Sequence, residues 1–121
     1  MESVLLHREL LRQIAQGNES ALAELYEIFK TRVFNTALSY LQHTAEAEEV
    51  TQDVFVKIYH ASARFEAKSS VSTWIYRITV NHSLDKISHR NRQKRAAAFL
   101  SLFRGDQTMP LDIPDFEHPG V

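Results

Sequence analysis

Residues 21–41 read ALAELYEIFKTRVFNTALSYL, and the placement of apolar side chains in this stretch decides the fold class. Leu22, Leu25, Tyr26, Phe29, Val33, Ala37, Leu38 and Leu41 recur at spacings of three and four. A strand would alternate with period two, whereas this spacing lines one stripe of a helix that faces a core. Around the stretch little opposes helix. The chain has three Gly and three Pro, and every Pro lies beyond residue 109.

Upstream, Val4, Leu6, Leu10, Leu11 and Ile14 predict a first helix over about residues 2–16, closed by Gly17, with Asn18 placed to cap the next. Downstream, the second helix is expected to end near Gln42. Thr44 is read as the cap of a third, whose Glu46, Glu48, Glu49 and Asp53 lie early, where the helix dipole favours negative charge. Ala47, Val50, Val54 and Ile58 supply its inner stripe. After Phe65, EAKSS reads as a loop, with Ser69, Ser70 or Ser72 capping a fourth helix from about Val71 to beyond His89. Its apolar side is assigned to Ile75, Ile78, Leu84 and Ile87.

The expected fold is all-α, a compact bundle of about four helices over residues 1–95, followed by an extended C-terminal linker over residues 96–121. From Arg104 onward RGDQTMPLDIPDFEHPGV holds all three prolines and four acids, which favours an extended chain. At 121 residues the chain has the size of one domain and can bury roughly two thirds of its unfolded surface. It has no Cys, which excludes disulfides and thiolate zinc sites and suits a reducing compartment. No apolar run approaches a membrane span, and MESVLLHREL lacks the pattern of a signal peptide, so a soluble, cytoplasmic protein is expected.

The net charge of −1 conceals segregation. Residues 1–63 sum to −4, residues 64–95 to +6 and residues 96–121 to −3. In a helix from Val71, Trp74, Arg77, Asn81 and Asp85 follow at three- and four-residue steps and form a polar strip. Arg suits phosphate, Asn can pair with a base edge, and an aromatic ring can stack on an unpaired base. Arg90, Arg92, Lys94 and Arg95 would add phosphate contacts. Composition alone leaves two readings open: a nucleic-acid surface, or a solvated helix end beside a core tryptophan. The polar face formed by Glu48, Glu49, Gln52, Asp53 and Lys57 is either a docking surface for a basic protein or an ordinary solvated face, and on the residues alone the solvated face is preferred.

Catalysis finds no support in the sequence, which lacks a glycine-rich phosphate loop, a nucleophile elbow and an HExxH pair. His82, Asp85 and His89 have helical spacing, but three ligands within a basic segment make a poor metal site. No cofactor or metal is expected.

Taken in order, ALAELYEIFKTRVFNTALSYL, AEEVTQDVFVKIYHASARF and SSVSTWIYRITVNHSLDKISHRNR resemble region 2 of bacterial sigma factors of the extracytoplasmic-function (ECF) type, over about residues 9–95. AEEVTQDVF and TWIYRITVN lie especially close to the family pattern. The resemblance implies an all-helical domain that binds the clamp helices of the RNA polymerase β′ subunit and recognises and melts the promoter −10 element without ATP. It places polymerase binding on Glu49, Gln52, Asp53 and Lys57, with Phe55 and Val56 nearby.

It also makes the loop from Ala67 to Ser72, including Lys68, Ser69, Ser70, Val71 and Ser72, the receiver of a flipped base. Asn81 would read the adjoining upstream position, and Lys68, Arg77, Arg90 and Arg92 would hold the backbone. Trp74 would support this surface from beneath. ECF factors normally carry a second helical domain with a helix-turn-helix, and this sequence stops before one fits, so either a piece of a longer factor or a naturally short factor is expected, the first being preferred. The resemblance also implies an anti-sigma partner. Phe99, Leu100, Leu102 and Phe103 would dock such a partner or pack back on the bundle, and packing back is preferred. The alternative function is a sigma-like interaction module that binds a regulator or polymerase without reading DNA.

Overall fold

A computed structural model describes residues 2–103, where all regular structure is helical. Helix α1 spans Glu2–Ala15, α2 Glu19–Leu41, α3 Thr44–Ala61 and α4 Val71–Phe103, with a single 3₁₀ turn at Ser62–Arg64. The described residues divide into two units, the first ending at Ser83 and the second beginning at Leu84. The first holds α1 to α3, the 3₁₀ turn and the beginning of α4; the second holds the remainder of α4.

The helix ends follow local chemistry. After α1 the chain turns at Gly17, whose φ of 90° is a left-handed conformation that side chains resist, and the Gly17 N–H bonds to the Ile14 carbonyl at 2.9 Å. Asn18 then caps α2, its Oδ1 accepting from the Ala21 N–H at 3.2 Å. Gln42 takes the left-handed C-cap of α2 and donates its N–H to the Leu38 carbonyl at 2.7 Å. The expected cap at Thr44 is corrected: His43 holds that position, with its Nδ1 accepting from the Glu46 N–H at 3.3 Å. A ring nitrogen with a free lone pair performs the task of a hydroxyl oxygen here, and Thr44 becomes the first helical residue.

Every fourth residue of α2 from Ala21 to Leu41 is buried, and α2 packs against both α1 and α3. Leu10, Leu11 and Ile14 of α1 and Ala47, Val50, Val54 and Ile58 of α3 complete that core. The stripe is narrower than the sequence predicts. Leu22 and Leu38 are half-buried, and Val4, Leu6 and Tyr26 are exposed.

In the first unit, α4 buries Val71, Ile75, Thr79 and Ser83. The two hydroxyls can enter the core because Thr79 donates to the Ile75 carbonyl and Ser83 to the Thr79 carbonyl, each at 2.8 Å. Ile78, expected inside, is only half-buried, as are Leu84 and Ile87 in the second unit. Helix α4 also passes the expected boundary at residue 95, since KRAAAFL offers good helix formers and no Gly or Pro. Phe99, Leu100, Leu102 and Phe103 are exposed, against the preferred of the two expectations, that they pack back on the bundle. The expected extended segment from Arg104 onward lies outside the described residues.

Candidate nucleic-acid and protein-docking surfaces

Of the three serines offered as caps for α4, Ser70 takes the role. Its Oγ accepts from the Thr73 N–H at 3.0 Å and its carbonyl accepts from the Trp74 N–H at 3.0 Å. The Ser70 hydroxyl donates onward to Thr73 Oγ1 at 3.0 Å, and the Ser69 hydroxyl donates to the Ser70 carbonyl at 3.3 Å. Ser72 accepts from Arg32 Nη1 at 3.3 Å, which ties the start of α4 to α2. These bonds fix the entry to α4 locally and, through Ser72, tie its first turn to α2, at a helix N-terminus where the unpaired amides and the dipole favour negative charge.

Lys68 stands at the loop's outer edge, exposed and paired with Glu66 at 3.0 Å. Val71 is different. Its side chain is only 1% exposed, so its expected place among the DNA-contacting groups is corrected: it is the hydrophobic anchor on which α4 starts. Trp74 is half-buried and meets Phe65 edge-on, with ring centroids 5.3 Å apart. Arg77 and Asn81 are exposed and one helical turn apart. In the second unit Arg92 and Lys94 are exposed and Arg90 is half-buried.

On α3, Glu49, Gln52, Asp53, Val56 and Lys57 are all exposed and share one helical face. Phe55, assigned to that face from the sequence, points the other way: it is 7% exposed and packs edge-on against Tyr26 at 4.9 Å. It braces the face and cannot form part of it. A groove of about 460 Å³ borders the face, lined by Tyr26, Lys30, Thr31, Phe34, Glu48 and Gln52, so α2 contributes to this surface as well as α3.

Arg32 is absent from the sequence-derived set. It lies over the Phe29 ring at 5.2 Å while bonding Ser72, and its signal in the sequence was only a cation on the flank of an apolar stripe. Tyr76 was likewise unassigned. It is 53% exposed and lies close enough to Tyr40 that, after desolvation, it helps to push the Tyr40 hydroxyl pKa up. Among the described residues no three His, Cys, Asp or Glu side chains gather as a metal site, and no helix is long and apolar enough to cross a membrane.

Residues 25–93 match the family model for sigma-70 region 2. The chain is 28% identical over 83 residues to the ECF RNA polymerase sigma factor SigW of Bacillus subtilis, covering 69% of this chain and 44% of that protein. It is 29% identical over 79 residues to SigK, an ECF RNA polymerase sigma factor of Mycobacterium tuberculosis, covering 64% and 42%. Against the RNA polymerase sigma-H factor of Pseudomonas aeruginosa the identity is 25% over 116 residues, covering 93% and 58%. The chain spans about half the length of the curated relatives it matches.

Proposed function

The chain belongs to the sigma-70 region 2 family, and from that premise we propose that it acts as the part of an ECF-type sigma factor that binds core RNA polymerase and opens the promoter −10 element. The observation that carries this reading is the separation of two surfaces on one small fold. The exposed face of α3 presents Glu49, Gln52, Asp53, Val56 and Lys57, while the Ser70-capped loop and the exposed Arg77 and Asn81 stand on another element.

The α3 face is the polymerase side. Its mixture of carboxylates, an amide and an exposed valine fits the rim and centre of a protein interface, with carboxylates meeting a basic partner surface. The loop and the start of α4 are the DNA side. Ser69, Ser70 and Ser72 offer hydroxyls beside helix-terminal amides to an unstacked base, and Asn81 offers a paired donor and acceptor to its upstream neighbour. Capturing the base offsets part of the few kcal/mol that opening the duplex costs. Lys68, Arg77, Arg90 and Arg92 supply backbone contacts, and Trp74 against Phe65 stiffens the surface from below. An anti-sigma factor would act by covering the α3 face.

A pull-down with a β′ clamp-helix fragment tests the polymerase side. The Gln52→Ala/Asp53→Lys chain is expected to lose roughly tenfold or more in binding, since charge reversal against a complementary surface removes attraction and adds repulsion. Undiminished binding would show that the assigned face is wrong.

A further inference from the structure

A groove of about 320 Å³ lies between α2 and the first turns of α4, wholly within the first unit. Phe29 and Ile75, both buried, form its floor, and Arg32, Asn35 and Tyr76 stand exposed at its rim. An apolar floor with a few polar groups above it is the make-up of a ligand site, and the volume is at the small end of such sites. Arg32 gives one of its five N–H donors to Ser72, and among the described residues no carboxylate pairs with it. The rim is therefore cationic and aromatic, and Ser72, which also lines the groove, makes it continuous with the loop assigned to DNA.

We propose that this groove holds a second unstacked nucleotide of the DNA strand, adjoining the one taken by the loop. The inference rests on the function proposed above and deepens its DNA side. Each part of a nucleotide meets a matching group. The Arg32 guanidinium takes the phosphate, the exposed Tyr76 ring offers a stacking face to the base, and Asn35 offers a donor and an acceptor to the base edge. Phe29 and Ile75 keep water from beneath the base. Tyr76 lies one helical turn past Ser72, about 6 Å along α4, a distance that neighbouring nucleotides of an open strand can span. A guanidinium without a carboxylate partner at the rim selects a polyanion over an apolar protein segment as the occupant.

Fluorescence anisotropy of the full chain with a labelled thymidine octamer tests the assignment. Tyr76→Ala should weaken binding roughly fivefold or more, the low end of the loss for a stacked base, and Tyr76→Phe, which keeps the ring, should recover what the alanine loses. On an octamer of abasic deoxyribose phosphates, which keeps the phosphates and lacks the bases, the native and Tyr76→Ala chains should bind alike. An equal loss on both probes, or no loss on either, overturns the stacking.

Arg32→Gln should reduce the slope of log affinity against log salt by about 0.7, and Arg32→Lys should restore it. An unchanged slope takes Arg32 out of phosphate contact and overturns the pocket. Both comparisons are made within one variant, so partial unfolding, which lowers affinity for every probe, imitates neither. Native-like octamer binding by Tyr76→Ala and Arg32→Gln, with weaker binding by Ser70→Asp in the loop, upholds the DNA reading and refutes the second nucleotide. A native chain that binds no octamer refutes both.

Discussion

His7 lies half-buried with its ring edge-on to Phe29, centroids 4.8 Å apart, and Arg32 lies over the same phenyl ring at 5.2 Å. Burial first, and then the Arg32 charge, holds the imidazole pKa below its ordinary value of 6.5. In the interval between the folded and unfolded values the unfolded chain binds more protons, so stability rises with pH across it. The contribution is complete above about 6.5 and is lost as pH falls through the lower, folded value. Urea midpoints measured at several pH values below neutrality should therefore decline more steeply for the native chain than for His7→Gln. Parallel curves would show that the His7, Phe29 and Arg32 cluster does not hold the imidazole neutral. Because Arg32 also bonds Ser72, the same cluster links the packing of α1 to the start of α4.

At the scale of elements, α4 depends on one serine cap for its first turn. Ser70→Ala is expected to lower stability by about 1 kcal/mol, the usual cost of losing an N-cap oxygen. Ser70→Asp keeps the cap and adds favourable charge at the dipole, so its thermal midpoint should stay near that of the native chain. If the loop meets DNA, the same aspartate repels the strand, and anisotropy should show weaker single-stranded DNA binding in a fully stable protein. Unchanged affinity for Ser70→Asp would remove the loop from the DNA surface.

The existence of four helices was legible because three- and four-residue apolar spacing needs only local sequence. Burial within them was less so. Thr79 and Ser83 enter the core by bonding their own helix, which no hydropathy pattern reveals. Phe55 and Val71 were assigned outward by positional likeness, yet as large or branched apolar groups beside packed neighbours they serve the interior. The Arg32–Ser72 bond joins positions forty apart, and nothing in the sequence connects them.

For the whole molecule, a net charge of −1 gives no general attraction to a polyanion, so any nucleic-acid binding must come from segregation along the chain. At physiological salt, charges separated by more than about 8 Å are largely screened, which lets a basic stretch of +6 act locally despite its acidic flanks. This separates two kinds of contact. A cation on a phosphate releases a counterion whatever the base, whereas a base reader contributes little to salt dependence. Arg92→Gln and Lys94→Gln should each reduce the slope of log affinity against log salt by about 0.7 for single-stranded DNA, with equal losses for every sequence tested. Asn81→Ala should leave the slope in place and flatten the preference at one base position, by about 1–3 kcal/mol if the amide pairs with a base edge. A slope unchanged by the Arg92 and Lys94 substitutions would take these side chains out of phosphate contact. An Asn81→Ala loss shared equally by all sequences would make that residue another backbone contact, and the reading of sequence would then have to reside in the Ser69–Ser72 loop alone.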